Sequence, residues 1–338
     1  MKIFKITFYL TLKLIIVSFF IACEKDDNVS ISQGKENLSI QNNETNNNEI
    51  KKVVAELNSL VFEKDDTLQM VPLNTYKVIK GKLIETAKFD APDNRVSIRN
   101  KPVKFNRLIS LIEQLVPTEI LTNLEQIILY SASTDIGGFV TPKNENLNKW
   151  YLGINISVAY INDIFDNEGI MSETIVHEIG HIATLYNPQV NPNIKPEDCT
   201  NYNLSVGDKN YGCIQTNSYF DINYKKYWKD IEEDFENLDN DFFYELNEDR
   251  FVSPEASVSP TEDVAESFVE FIKSQKPSDT TQIKNKKIRL FYNDSRFVKI
   301  RNSIRSKKPD FLNLKSAKGL KFLNHNTSTH FKNKMCVH

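Results

Sequence analysis

Histidine is scarce in this 338-residue chain: there are five, at positions 177, 181, 325, 330 and 338, and the last three fall in a basic, low-complexity tail. Any histidine chemistry in the body of the protein must therefore run through His177 and His181. A charge excess is missing too. The formal net charge is −3, which leaves no electrostatic footprint for nucleic acid. No segment repeats at a fixed period, which excludes a solenoid. The apolar run at the N-terminus is too short and too abruptly ended to span a membrane. With 40% hydrophobic side chains, the chain can still bury a full core in one large domain or two modest ones.

The sparse cysteines carry information by position. Lys2 and Lys5 precede an apolar stretch ending at Ala22, which reads as a secretory signal over residues 1–22. Cys23, after Ile21 and Ala22, resembles the cysteine of a bacterial lipobox, which is diacylated and becomes the mature N-terminus. The alternative is a cleaved, soluble secretory protein with an incidental cysteine. Glu24-Lys25-Asp26-Asp27 resembles the tag by which some Gram-negative bacteria send lipoproteins to the outer face of the outer membrane. Residues 23–49, rich in Asn, Gln, Ser and Glu, are expected to be a disordered linker holding a domain off that membrane. Cys199 and Cys213 could pair in an exported protein, closing a loop of about 15 residues for roughly 3 kcal/mol, or remain free thiols. Cys336 has no partner left.

His177-Glu178-Ile179-Gly180-His181 is the zinc-hydrolase arrangement H-E-x-x-H. Four residues make just over one helical turn, so both imidazoles project from one face and can share one ion. Glu178 falls beside the open coordination position, where it can act as general base toward a water activated by zinc. Ser172 is the expected N-cap, and Ile175, Val176, Ile179, Ile182, Ala183 and Tyr186 form a core-facing stripe. On that pattern the histidines lie opposite the core, and their competing explanation is simple solvent exposure. Gly180 inside a helix costs about 1 kcal/mol relative to alanine, which signals a close backbone approach.

Around this motif the pattern predicts helices over 51–60 and 105–116, strands over 127–130 and 150–158, and the motif helix over 172–186. A long loop is expected over 187–210, an aromatic helix over 219–236, a second loop over 239–259, a helix opening near Pro260 and a further one over 294–305. The result is an α+β fold with a small mixed sheet. Its boundaries are a catalytic domain at 50–305 and a basic, disordered tail at 306–338.

Two histidines do not complete a zinc site. The extended pattern H-E-x-x-H-x-x-G-x-x-H fails because Thr184 stands for the glycine and Asn187 for the third histidine. A carboxylate must then supply the ligand, and the leading candidate is Glu262. On a helix Glu262, Ala265, Glu266, Val269 and Ile272 share a face, so Glu266 could orient a histidine by accepting its second ring N–H. Ser259, Pro260 and Glu262 also fit a capping box, which explains the glutamate without a metal. Asp263 and Glu266 are the reserve ligands.

The strand, the 177–181 helix, the aromatic middle and the stretch from Phe251-Val252-Ser253-Pro254 to Ser259-Pro260-Thr261-Glu262-Asp263-Val264-Ala265-Glu266 resemble the zinc-binding metallopeptidase lipoproteins associated with bacterial substrate-import systems. The likeness covers roughly residues 100–305. More distantly, the two motifs are similar to the gluzincin-type catalytic domain of anthrax lethal factor. The resemblance implies a zincin-like fold, one Zn2+ held by His177, His181 and Glu262, and Glu178 as general base acting on a peptide or protein substrate. It also implies an outer-membrane import complex as partner. The lethal factor pattern places a tyrosine seven residues before the glutamate, where this chain has Glu255. Tyr244, Tyr219 and Tyr227 are then the candidates for an oxyanion donor. The alternative function is a non-catalytic surface lipoprotein that binds peptide or glycan and keeps zinc as a structural feature.

Overall fold

Strands in the middle of the chain alternate between two apolar environments, and that alternation sets the architecture. In β3 (Leu124–Ser131) Ile127 and Leu129 join the main core, while Ile128 and Tyr130 join a second, smaller one. A period of two puts successive side chains on opposite sheet faces. Both faces are therefore covered. The computed structural model describes residues 43–61, 69–79, 81–91, 101–134, 136–166, 169–186, 188–206 and 209–313. The signal segment, Cys23, residues 23–42 of the expected linker and residues 314–338 lie outside the described residues.

The fold is mixed α+β. Its five-stranded sheet has the order β2-β1-β3-β5-β4, with β1 Val71–Ile79, β2 Lys82–Lys88, β4 Gly138–Pro142 and β5 Trp150–Asn155. β3 and β5 run parallel and the other pairs antiparallel. Helix α1 (Asn43–Val61) covers one face through Ile50, Val54 and Leu57, and Glu49 accepts a 2.6 Å hydrogen bond from the Tyr151 hydroxyl. It begins before the expected 51–60 and takes in the end of the linker.

On the other face lie α2 (Pro102–Leu115) and α3 (Ile170–Leu185), the motif helix. α2 lies within a residue or a few of the expected 105–116 and buries Leu108, Leu111, Ile112 and Leu115.

The second strand stops at Asn155 instead of running to Val158. The Asn155 side chain accepts from the Ser157 backbone N–H at 3.0 Å and caps a helical turn over Ile156–Ala159. That turn leads to the short hairpin β6 (Tyr160–Ile161) and β7 (Ile164–Phe165).

The expected loop over 187–210 is not irregular. It contains β8 (Val190–Asn191) and β9 (Asn203–Val206), which pair with β10 (Lys209–Ile214) in a three-stranded sheet. A disulfide joins Cys199 to Cys213. These strands are too short and too polar to show an alternating pattern.

The aromatic helix is two helices, α4 (Tyr219–Tyr227) and α5 (Glu232–Asn237), separated where the Trp228 ring enters the core. The expected loop over 239–259 contains α6 (Asn240–Leu246), capped by Asp239. Helix α7 (Pro260–Lys273) opens at the Ser259 N-cap. It is followed by α8 (Ile283–Phe291), which the sequence pattern missed, and α9 (Ser295–Lys307). A 3-10 turn over Pro309–Asn313 extends order into the expected tail and buries Phe311. Among the described residues no helix is long and apolar enough to cross a membrane.

Candidate metal centre

Helix α3 is buried on nearly every side, its His177, Glu178, His181 and Thr184 included. This corrects the expectation of a half-exposed helix. His181 is fully buried, and His177 and Glu178 retain only 6% and 1% of their exposure. The helix begins at Gly169, in the left-handed region at φ +81°, rather than at Ser172. Ser172 lies one turn inside, donating both its backbone N–H and its hydroxyl to the Asp166 carboxylate. Solvent exposure no longer explains the two histidines.

The reason for Gly180 is also visible. A Cβ added there would come within 3.2 Å of both Ala265 Cα and Phe268 Cβ. α7 therefore packs against α3 at backbone distance, which carries its first turn to the histidines. Glu173 on α3 and Lys273 on α7 form an ion pair across the same interface.

Glu262 is 2% exposed, and its Oε2 lies 3.1 Å from His177 Nε2 and 3.5 Å from His181 Nε2. The two Nε2 atoms are 3.0 Å apart. His177, His181 and Glu262 thus form a buried group that could hold a metal ion. The donor set fits such an ion in size. Bonds of about 2.0–2.1 Å in a tetrahedral centre separate the ligand atoms by roughly 3.3 Å.

Of the expected capping box only the serine half is seen. The Glu262 backbone N–H donates to Ser259 Oγ at 3.2 Å, as a helix cap requires, while the Glu262 carboxylate turns to the histidines.

Glu266 takes the orienting position. Its Oε1 lies 2.7 Å from His177 Nδ1, which leaves Nε2 facing the centre. Ser253 completes this contact by donating its hydroxyl to Glu266 Oε2 at 2.7 Å; no spacing rule would have singled it out. Burial alone would lower the His177 pKa, but the Glu262 and Glu266 carboxylates outweigh it and hold that pKa well above the ordinary imidazole value. Burial likewise pushes Glu266 up, and the His177 and Ser253 contacts more than compensate, so its carboxyl sits below its usual range.

Asp263, a reserve ligand, is turned away from the centre. It pairs with Lys287 at 2.8 Å, both side chains being fully buried. Among the tyrosines considered as oxyanion donors, Tyr219 is committed elsewhere, donating to the Lys287 backbone carbonyl and stacking on Phe291. Tyr227 and Tyr244 are half-buried, and burial raises both phenol pKa values, which keeps them protonated as donors.

The edge strand β4 lies beside Glu178. A Cβ added at Gly138 would sit 3.1 Å from the Gly153 carbonyl oxygen and 3.2 Å from Glu178 Cγ, so a larger residue would press the strand or these neighbours back by a few tenths of an ångström. Asn155 holds the approach in place: its Nδ2 donates to the Ile136 carbonyl at 2.9 Å, and its backbone N–H to the Gly137 carbonyl at 2.8 Å. Neither role could be read from the sequence, because both depend on which strand lies at the edge.

No protein-family model, no curated protein and no solved structure matches the chain. Its function therefore has to be read from these residues.

Proposed function

We propose that this chain is a metal-dependent hydrolase, and more narrowly a zinc metallopeptidase of the gluzincin type with a zincin-like catalytic domain. The observation that carries the reading is the buried Glu178 carboxylate on the same helix as His177 and His181, with Glu262 closing the set from α7. A purely structural site has no use for that extra carboxylate. Two imidazoles and one carboxylate are the donor set of a catalytic zinc site, which keeps a position open.

When bound, zinc supplies Lewis acidity toward a carbonyl and lowers the pKa of water to roughly 7. Glu178 takes a proton from the attacking water as its oxygen bonds to the scissile carbonyl carbon. It then delivers that proton to the amide nitrogen as the carbon–nitrogen bond breaks. Glu266 and Ser253 fix the His177 ring so that Nδ1 carries the proton and Nε2 faces the ion.

The same reading makes the protein an outer-membrane lipoprotein anchored through Cys23, working beside an import complex on peptide or protein substrates. Its support is the signal-like segment ending at Cys23 and the acidic tag behind it. A Cys23→Ala chain that still took up labelled fatty acid and stayed with the membrane would overturn the anchor.

Glu178→Gln tests the catalytic assignment. Hydrolysis of a peptide library should vanish, while the protein still binds one zinc per chain. Full peptidase activity in this variant overturns the role of Glu178. Wild-type protein that binds peptide or glycan, with zinc present, and never cleaves would instead establish the non-catalytic alternative.

A further inference from the structure

The first turn of α7 holds a second buried charge that the proposed chemistry does not use. Asp263 Oδ2 lies 2.8 Å from Lys287 Nζ and also accepts from Trp228 Nε1 at 2.7 Å and Asn223 Nδ2 at 3.1 Å. The Lys287 ammonium rests 4.4 Å from the centre of the Phe251 ring. Asn223 comes from α4, Trp228 from its C-terminal end and Lys287 from α8, so three side chains from two helices converge on one carboxylate oxygen. Burying an ion pair is expensive, and apolar side chains of similar volume often stabilise a fold as well or better. Stability alone therefore does not call for this arrangement.

What distinguishes it is its place next to Glu262. Consecutive helical residues are about 100° apart, so the orientation of Asp263 sets where Glu262 points. At the side-chain radius of a helix, roughly 5–6 Å, a rotation of about 15° moves the carboxylate by about 1.5 Å. Metal bonds to a carboxylate are about 2.0–2.2 Å long and do not survive such a shift. Resting on the metal reading above, we propose that Asp263, Lys287, Trp228 and Asn223 are positioning residues that set the metal affinity of the centre by fixing the aim of Glu262.

The experiment measures zinc affinity by competition with a chromophoric chelator, alongside the melting temperature of the metal-free chain. Lys287→Met should weaken zinc binding by about 10–100-fold, and Trp228→Phe by roughly tenfold. Arg301→Met is the control, because Arg301 donates to the Phe271 and Ser274 carbonyls at the far end of the same helix. It should lower the melting temperature and leave zinc affinity within about twofold of wild type.

Wild-type zinc affinity in Lys287→Met and Trp228→Phe overturns the inference, as does an equal loss in Arg301→Met. If Lys287→Met does not fold, Trp228→Phe decides alone. A wild-type chain that binds no zinc overturns the metal reading itself, and this inference with it.

Discussion

Glu262 and Asp263 are neighbours on one helical turn, and both are buried, yet they meet opposite kinds of partner. Glu262 faces two imidazoles, which can be neutral metal ligands or cations, whereas Asp263 faces an ammonium, an indole N–H and an amide. The Asp263 cluster balances its charge within the chain. Around Glu262, Glu266 adds a second carboxylate to His177 and Glu178 is buried on the same helix as both histidines, so the balance there depends on protons or on a metal ion. Glu262 thus faces the proposed metal position directly, while Asp263 acts on that position only by holding the helical turn that carries Glu262. The difference comes from a rotation of about 100° about the helix axis.

Breaking Glu262 should strike zinc affinity first, whereas breaking Asp263 should strike stability first and zinc affinity only through the loosened helical turn. Glu262→Ala removes one of the three proposed ligands and should cost about a thousandfold in zinc affinity, about 4 kcal/mol, with little change in the urea unfolding of metal-free protein. Asp263→Ala leaves Lys287 charged and buried alone, which should cost about 3–5 kcal/mol in that same unfolding experiment. If Glu262→Ala unfolds the chain and Asp263→Ala leaves its stability intact, the division of labour is wrong.

The disulfide separates fold from site at longer range. Reducing Cys199–Cys213 should cost roughly 3 kcal/mol of stability and leave zinc affinity unchanged, since the small sheet supplies none of the ligands. A parallel fall in zinc affinity would tie that sheet to the centre. Ser253→Ala is a gentler cut, removing the hydroxyl that holds Glu266. Zinc affinity should fall by roughly tenfold with the melting temperature nearly unchanged, and equal affinities would show that Glu266 needs no support.

The contrast between the two clusters also marks what could be read from the residues. Spacing alone brought His177, Glu178 and His181 onto one helix and placed Glu262 and Glu266 on one face, because a helical period relates side chains four apart directly. Capping did the same for α7, where Ser259 and Pro260 announce the first turn. The role of Asp263 was out of reach, because its partner lies on α8. That helix was itself hidden, since Lys287 occupies a core-facing position among Ile283, Ile288 and Phe291 and interrupts the apolar period. The burial of α3 was hidden in a similar way. Histidine, glutamate and threonine suggest a polar face wherever the neighbouring helix that covers them is not yet known.

Gly180→Ala would test that covering helix with the smallest change. Alanine favours the helix by about 1 kcal/mol over glycine, so on an open face the substitution would stabilise. Here the new methyl meets Ala265 Cα and Phe268 Cβ at 3.2 Å, a few tenths of an ångström inside ordinary contact. One of these contacts is backbone, so α7 has to move rather than a side chain rotate. Overpacking of this kind costs roughly 1–3 kcal/mol, and the expected net loss in urea unfolding is about 1 kcal/mol after the helical gain. Because the displaced helix carries both Glu262 and Asp263, zinc affinity should fall by a few-fold as well, in the manner of a disturbed ligand support. A variant that gained stability and kept its zinc affinity would show that the two helices yield at this point, and that close approach is not why glycine stands there.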